Sequence, residues 1–287
     1  MNSRKNMNEK LEKLINQKTR LFLNFEQTDL TENREDFLRR KKAIDKCIPP
    51  ILLISTARAA SSGIANQISV FTNSPRVNVE SQPIPIEHNI AKGLLQDMAR
   101  GGCVSYVHSR ASKENLRALS ESGIKKLVLH LRDPRQSLLS NYWRMHGLGN
   151  WKDRRIYYNN IPLNYEQLSF SQQIDWHIEN IYHYYWVKWI EEWLEIILQR
   201  TFPLTIKIMI YENFIQDPLR YFIELGDFYD LNWRSFSTRD LLKPNPDPPA
   251  KMQGTPDAWR TIFTTQQIDR IQELTPDKLL NKVGWKR

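Results

Sequence analysis

The sequence predicts an α/β protein with a central parallel sheet flanked by helices. After Pro50, short apolar runs alternate with segments of helical periodicity, an order typical of parallel strands joined by crossover helices. The chain has 287 residues with 40% hydrophobic content, enough for one large domain or at most two. The predicted strands lie at residues 51–54, 77–79, 104–107, 127–131 and 206–210.

The residues before the first predicted strand have a different character. Residues 8–24 place leucine and isoleucine among lysine and glutamate at the spacing of an amphipathic helix. Asp29 and Glu32 are spaced as a capping box for a second helix that extends to about Cys47. We therefore predict a helical extension over residues 1–48 and a single α/β domain over residues 49–287.

The charge balance favours an anionic partner. Forty-one Lys and Arg against 32 Asp and Glu give a net charge of +9, which suits nucleic acid, anionic lipid or a phosphate-bearing small molecule. The two cysteines form no CxxC motif, so we expect no disulfide framework and a reducing, cytoplasmic setting. No apolar stretch has the length of a signal peptide core or a membrane span, so we expect no membrane partner.

The stretch ILLISTARAASSGIANQI, residues 51–68, reads as a strand, a loop and a helix. Such a joint exposes backbone N–H groups and the positive end of a helix, and small residues let an anion approach closely. Ser61 and Ser62 add hydroxyl groups, and Arg58 adds a charge. Gly63 is not followed by the lysine of a Walker A motif, so the pattern predicts a different anion site, with a simple Ala/Ser-rich turn as the alternative.

A second stretch, KKLVLHLRDPRQSLLSNYW at residues 125–143, has the same organisation. Asp133 is a natural N-cap and Pro134 a natural first helical residue after a buried strand. Arg132 therefore lies at the helix entrance, with Ser140 two turns further on. Together they are suited to binding one phosphate, unless Arg132 pairs with a nearby carboxylate instead.

These two loops resemble those of the sulfotransferases that use 3′-phosphoadenosine 5′-phosphosulfate (PAPS). In that family a loop similar to PKSGTTW binds the 5′-phosphosulfate, and an RDP or RNP motif with a serine eight residues after its arginine binds the 3′-phosphate. Arg132, Asp133, Pro134 and Ser140 match the second motif. The first loop corresponds to residues 57–63, with arginine in place of the usual lysine, and the resemblance assigns donor binding to Arg58, Ala59, Ala60, Ser61, Ser62 and Gly63.

The similarity extends over about residues 50–275. IMIYENFIQDP at 208–218 resembles the family's strand ending in YE, which implies that Tyr211 lies near the adenine. In KMQGTPDAWRTIFT at 251–264, Gln253 and Gly254 occupy the place of the RKG that caps the 3′-phosphate. The basic pair is missing there, although Lys251 is adjacent. The resemblance implies a P-loop-like nucleotide-binding fold, PAPS as donor, adenosine 3′,5′-bisphosphate (PAP) as product and no metal.

His108 is the first candidate for the general base, because it follows a predicted strand and histidine titrates near neutrality. In the family a histidine of a KTH sequence does this work, and here Tyr106 replaces that lysine. The resemblance places Arg58 at the bridging oxygen of the leaving group. The rival base is Glu80, since family members acting on glycans use a glutamate after the first helix. Alternatively, Glu80 pairs with Arg76, and His108 is a half-buried structural histidine.

A long predicted helix, residues 171–199, is rich in aromatic residues. Their spacing favours a buried packing face over a substrate-stacking one. With Tyr142, Trp143 and the five prolines of residues 244–256, this helix offers aromatic walls for an acceptor pocket. The recurring aromatic residues are Trp176, Tyr182, Trp186, Trp189 and Trp193.

The sequence thus favours sulfation of a small molecule, a specialised metabolite with a hydroxyl or an amine or amide nitrogen. One alternative is a glycan or lipid sulfotransferase with Glu80 as base. A P-loop nucleotide kinase would need a lysine after Gly63 and a magnesium-binding acid at a strand end. A basic nucleic-acid-binding protein would concentrate its cations on one element, whereas here they are scattered, so we expect no nucleic-acid partner. The sequence leaves a homodimer open.

Overall fold

The computed structural model describes residues 33–81, 89–147, 161–200, 202–232 and 256–287. Within these ranges the strands are β1 (Ile51–Ser55), β2 (Val104–Val107), β3 (Lys126–Leu131) and β4 (Thr205–Ile210). All four are parallel and form one sheet in the order β2-β1-β3-β4. The predicted α/β class with a central parallel sheet is confirmed.

Helices connect the strands and continue beyond them. A 3-10 turn at Tyr165–Gln167 precedes the helix Phe170–His177, and a π-helical segment at Ile178–Val187 joins this helix to the helix Lys188–Gln199. The predicted helix over residues 171–199 is therefore one helical run. None of the described helices is long and apolar enough to cross a bilayer. The helices are α1 (Arg34–Asp45), α2 (Ser61–Thr72), α3 (Lys92–Met98), α4 (Lys113–Ser120), α5 (Pro134–Gly147), α6 (Phe170–His177), α7 (Lys188–Gln199), α8 (Tyr211–Gln216), α9 (Pro218–Phe228), α10 (Trp259–Ile262), α11 (Thr265–Leu274) and α12 (Asp277–Val283).

Strand β1 lies at the centre of the molecule. All five of its residues are buried, because helices cover both faces of the sheet. Leu52 and Ile54 belong to one apolar cluster, and Ile51 and Leu53 belong to another on the opposite face. This alternation follows from the two-residue period of a strand and explains why the run is apolar without interruption.

The strand predicted at residues 77–79 is wrong, and the helix predicted to extend to about Cys47 ends at Asp45. Residues 77–79 do not form a regular strand; the segment makes only isolated bridges, from Arg76 to Val104 and from Glu80 to Ile90. Helix α1 is capped by the side chain of Asn33, whereas the predicted capping box at residues 29–32 lies outside the described residues. The helix also ends at Asp45, because Cys47 adopts a left-handed backbone conformation (φ 58°) that a helix cannot include.

Helix α1 packs directly on the α/β core. Arg40 is buried and pairs with Asp97 at 2.6 Å, and its Nε donates to the carbonyl of Gly101 at 3.2 Å. Gly102 lies beneath the same helix, where a Cβ atom would come within 2.7 Å of the Arg40 carbonyl oxygen. The division into an extension and a domain remains a prediction.

Candidate functional site

The ends of all four strands meet at one edge of the sheet. The register pairs Ile54 with Val107 and Leu131 with Ile210, so the residues that follow these strands are neighbours. In parallel sheets ligands bind at this carboxyl edge. The residues that follow the strands include Thr56, His108, Arg132 and Tyr211.

The loop between β1 and α2, residues 56–60, accepts hydrogen bonds from side chains of other elements. Its carbonyl groups at residues 57, 58 and 59 each accept a hydrogen bond. Since the C=O and N–H of a trans peptide point in opposite directions, the N–H groups of residues 58–60 are turned away from these donors. The bonds run from Trp186 Nε1 to Ala57 O (3.1 Å), from Arg132 Nη1 to Arg58 O (2.6 Å) and from His130 Nε2 to Ala59 O (2.7 Å).

The same loop ends at the N-terminus of α2. Ala60 caps this helix without a side-chain hydrogen bond to its first N–H groups, which lack intrahelical partners. Together with the N–H groups of the preceding loop, they are donors of the kind that binds an anion. The exposed Ser62 and the buried Ser61 begin the helix.

Two residues of this loop adopt left-handed backbone conformations although neither is glycine. The φ angles are 70° at Arg58 and 59° at Ala60. Such conformations cost on the order of 1 kcal/mol or more each and persist where surrounding contacts impose them. The three bonds to the loop carbonyls supply those contacts.

Replacing Ala60 by glycine is expected to increase the free energy of unfolding by about 0.5 to 1 kcal/mol. Relief of the left-handed strain outweighs the extra backbone entropy of glycine in the unfolded chain. Urea denaturation measures the difference. Ala65→Gly, in the buried interior of α2, is the matched control and is expected to destabilise. Equal destabilisation by both variants would show that Ala60 is not strained.

The two arginines predicted from the sequence lie side by side. Besides the bond from Arg132 to the Arg58 carbonyl, Arg58 Nη2 donates to Ser140 Oγ at 3.3 Å. Arg132 is only 3% exposed, and its guanidinium carbon lies 4.2 Å from the ring centroid of Tyr211. Burial lowers the pKa of Arg132, because removing the charged guanidinium from water is unfavourable. An anionic ligand beside the guanidinium would offset this desolvation cost.

A buried polar network supports the N-terminus of α5. Asp133 accepts from the backbone N–H of Arg135 at 2.9 Å, as the predicted N-cap should, and also pairs with the Arg135 guanidinium at 2.6 Å. Glu212 accepts from the backbone N–H of Asp133 at 3.1 Å and from Trp285 Nε1 at 3.2 Å. Burial, reinforced by Asp133, raises the pKa of Glu212.

Sequence reasoning missed Arg135, Glu212 and the C-terminal residues of this network. Arg135 is 1% exposed, lies 4.4 Å from the Trp259 ring centroid and donates to the Lys286 carbonyl at 2.6 Å. The sequence signal that could have found two of them is their position: Arg135 comes directly after the RDP motif, and Glu212 comes directly after Tyr211. The contribution of residues 285–286, in contrast, depends on a contact across more than 70 residues.

His108 has its ring orientation fixed by strand β1. Its Nδ1 lies 2.9 Å from the carbonyl oxygen of Ser55 and 3.1 Å from the hydroxyl of the same residue. A carbonyl only accepts, so in the neutral ring we assign the proton to Nδ1, which makes Nε2 the basic nitrogen. The half-buried ring therefore has the tautomer that a general base at Nε2 requires.

The segment that carries Glu80 runs beside β2 toward the same edge of the sheet. Arg76 pairs with Val104 in parallel, and Glu80 and His108 each lie four residues beyond this pair. Glu80 is partly exposed, and its backbone N–H donates to Asn78 Oδ1 at 2.9 Å. Both predicted bases are therefore on elements that approach the site.

Other predicted site features are placed differently. Tyr142 is buried and donates to Gln173 Oε1 at 2.8 Å, whereas Trp143 is half-buried and stacks on Phe170 with a centroid distance of 5.9 Å. Gln253, Gly254, Lys251 and residues 244–255 lie outside the described residues. No group of three or more His, Cys, Asp or Glu residues suited to a metal ion occurs in the described ranges.

His130, in β3, packs within the sheet. It is fully buried between the Ala59 carbonyl, which it contacts through Nε2, and the Tyr221 hydroxyl, 2.9 Å from Nδ1. Burial lowers the pKa of His130 to about 4. The ring therefore stays neutral in the folded protein and holds the loop carbonyl in place.

Stability is expected to fall as the pH decreases from about 6.5 towards 4. In this window the unfolded chain protonates His130 and the folded chain does not, so the unfolded state binds more protons. The loss from this residue is about 2 kcal/mol between pH 8 and pH 5. Urea denaturation at several pH values measures it. His130→Gln should flatten the profile, leaving a contribution from His177, whose pKa burial lowers to about 3; an unchanged profile would contradict the assignment.

Comparison with solved structures identifies the fold. The mouse sulfotransferase SULT7A1, complexed with PAP, matches with a TM-score of 0.52 at 12% identity, over 81% of this chain and 86% of that chain. A sulfotransferase from Alicyclobacillus acidocaldarius has a TM-score of 0.46 at 13% identity, over 83% and 97% of the two chains. Retinol dehydratase in complex with androsterone and PAP has a TM-score of 0.48 at 13% identity, over 88% of each chain.

No protein-family model and no curated protein matches the sequence. The structural match with SULT7A1 nevertheless shows that this chain has the sulfotransferase fold. The fold expected from the short motifs is thereby confirmed, at an identity where overall sequence similarity is too weak to reveal it.

Proposed function

We propose that this protein is a sulfotransferase that moves the sulfuryl group of PAPS to a small molecule. The observation that carries the proposal is that Arg58, on the loop between β1 and α2, and Arg132, after β3, lie side by side at the carboxyl edge of the sheet. Donors on other elements bind three carbonyl groups of the β1–α2 loop, and the N–H groups of the same peptides face the other way. A site with oriented N–H groups and two cations suits a ligand with two separated phosphate groups.

We assign the roles of the residues by the resemblance of their motifs to those of the PAPS-dependent sulfotransferases. Arg132 and Ser140 bind the 3′-phosphate, and Arg58 and the N–H groups of residues 58–63 bind the 5′ end. Tyr211 packs along the adenine. The guanidinium of Arg132 stacks on the ring of Tyr211. When bound, PAPS supplies an activated sulfuryl group whose bond to the 5′-phosphate breaks as the bond to the acceptor forms. Arg58 stabilises the negative charge that develops on the leaving phosphate; it remains protonated and acts by charge alone.

His108 Nε2 accepts the proton that the attacking hydroxyl or amine loses. The Ser55 carbonyl fixes Nδ1–H, so the ring presents its basic nitrogen without rotating. Glu80 is the second candidate for this role, because its segment runs beside β2 toward the same edge. If Glu80 is the base, a glycan or lipid acceptor becomes the favoured class. The stack of the half-buried Trp143 on the exposed Phe170 favours a small, flat acceptor instead.

Thermal shift with PAP, ATP and NAD tests the nucleotide assignment. PAP at one hundred times its dissociation constant should stabilise the folded chain by about 2.7 kcal/mol, whereas ATP and NAD should have little effect. Stabilisation by Mg-ATP alone would favour a nucleotide kinase. Salt-sensitive retention on DNA without a PAP response would favour a nucleic-acid-binding protein. Mass spectrometry of acceptor mixtures incubated with PAPS then identifies a product that has gained a sulfo group.

A further inference from the structure

We infer that three tryptophans on one helical face are positioning residues for the two loops that carry Arg58 and His108. We call Trp186, Trp189 and Trp193 the tryptophan clamp. Their indole N–H groups bind carbonyl groups of both loops, so one element sets the positions of the cation and the base. The inference extends the proposed function, because these residues lie behind the loops and act through them.

The hydrogen bonds of the clamp have ordinary lengths and come from buried side chains. Trp186 Nε1 donates to the carbonyl of Ala57 at 3.1 Å, and Trp189 Nε1 donates to the carbonyl of His108 at 3.2 Å. The third bond runs from Trp193 Nε1 to the carbonyl of Ser109 at 3.0 Å. The three side chains are 1%, 4% and 0% exposed, in chain order.

The local helix geometry explains how one element reaches both loops. The clamp residues are spaced by three and four positions, which places their side chains on one face. Trp186 lies in the π-helical segment and the other two lie in α7, so the clamp spans the junction between the two helix types. Single π-helical turns within α-helices are frequent at functional sites, and here the irregularity lies next to the loop contacts.

A second interaction ties the same helix to the same loop. Arg110, two residues after His108, forms a bidentate pair with Glu192 of α7 at 2.5 and 3.1 Å. Its guanidinium carbon also lies 4.2 Å from the ring centroid of Tyr184 in the π-helical segment. Residues 108–110 are therefore attached to this helix at three successive positions, two through carbonyl groups and one through a side chain.

These hydrogen bonds set the orientation of the loop peptides, because apolar packing alone does not direct a carbonyl group. A buried indole N–H without an acceptor is costly, so each bond fixes the peptide that it contacts. His108 is then held through its main chain by Trp189 and through Nδ1 by Ser55. Loss of the Trp186 bond should weaken nucleotide binding, and loss of the Trp189 bond should impair proton transfer.

The test compares Trp186→Phe, Trp189→Phe and Trp176→Phe. The last variant, on α6, controls for the lost volume alone, because Trp176 is half-buried and makes no hydrogen bond to either loop. We expect Trp186→Phe to weaken PAP binding by about tenfold in calorimetry. Trp189→Phe should leave PAP affinity within about twofold and lower kcat by about tenfold without raising KM. Its imidazole ¹⁵N spectrum should show His108 as a tautomer mixture rather than the Nδ1–H form alone.

Equal effects of all three variants on PAP affinity, kcat and the His108 spectrum would overturn the inference in favour of simple packing. Hydrogen exchange of the wild-type indole N–H groups provides a measurement that needs no variant: the three clamp resonances should exchange much more slowly than exposed indoles, and exchange as fast as those would also overturn it. Both the exchange and the ¹⁵N spectrum are read without PAP or an acceptor. If the protein fails to bind PAP, the proposed function fails while the clamp is still tested.

Discussion

Replacement of Arg132 by alanine is expected to weaken PAP binding by about 100-fold or more. Its guanidinium is 3% exposed, stacks on Tyr211 and donates to the Arg58 carbonyl, so the variant loses a desolvated cation and one of the contacts that orient the loop. Charge-assisted hydrogen bonds to a phosphate contribute about 1.5–3 kcal/mol each, and 1.4 kcal/mol corresponds to tenfold in affinity. Isothermal titration calorimetry measures the loss.

Two further variants separate the causes of this loss. Arg117→Ala removes the same charge from an exposed helix position, with 77% of the side chain accessible, and should leave PAP affinity unchanged. Arg132→Lys keeps the charge but loses the planar guanidinium, so it should bind PAP with intermediate affinity. If Arg132→Ala binds PAP as tightly as the wild type, Arg132 does not contact the ligand and the donor assignment fails.

Replacement of His108 by alanine is expected to lower kcat by about 10²- to 10⁴-fold, the usual contribution of a general base. PAP affinity should change little, because the loop of residues 56–60 and Arg132 remain in place. The ring is anchored through Nδ1 to Ser55, so its loss removes the basic nitrogen without opening the sheet. Steady-state kinetics with the acceptor found by mass spectrometry, together with calorimetry, separate turnover from binding.

The Glu80→Gln variant tests the alternative that Glu80, and not His108, is the general base. If His108 is the base, this variant keeps most of the activity, since the amide retains the size of the side chain and removes only its charge. A His108→Ala enzyme that keeps its turnover, combined with an inactive Glu80→Gln enzyme, would reverse the assignment. That result would also move the favoured acceptor class towards glycans or lipids.

The sequence by itself determined the positions of four of the five predicted strands and the two motifs at their ends, whereas residues 77–79 do not form a regular strand. Uninterrupted apolar runs such as residues 51–54 mark strands that are buried on both faces, and that property depends only on local residues. The Asp-Pro pair at residues 133–134 likewise predicted a helix start, which the structure places at Pro134. These signals rest on interactions within a few residues of chain.

Only the tertiary structure decided what holds the site together. The aromatic spacing of residues 171–199 predicted a buried face, but it did not reveal that three indoles bind loop carbonyls 81 to 129 residues away. The strained backbone at Arg58 and Ala60 is likewise imposed by His130, Arg132 and Trp186 from other elements. Hydrogen bonds between distant segments depend on how strands and helices pack, and residue periodicity does not predict them.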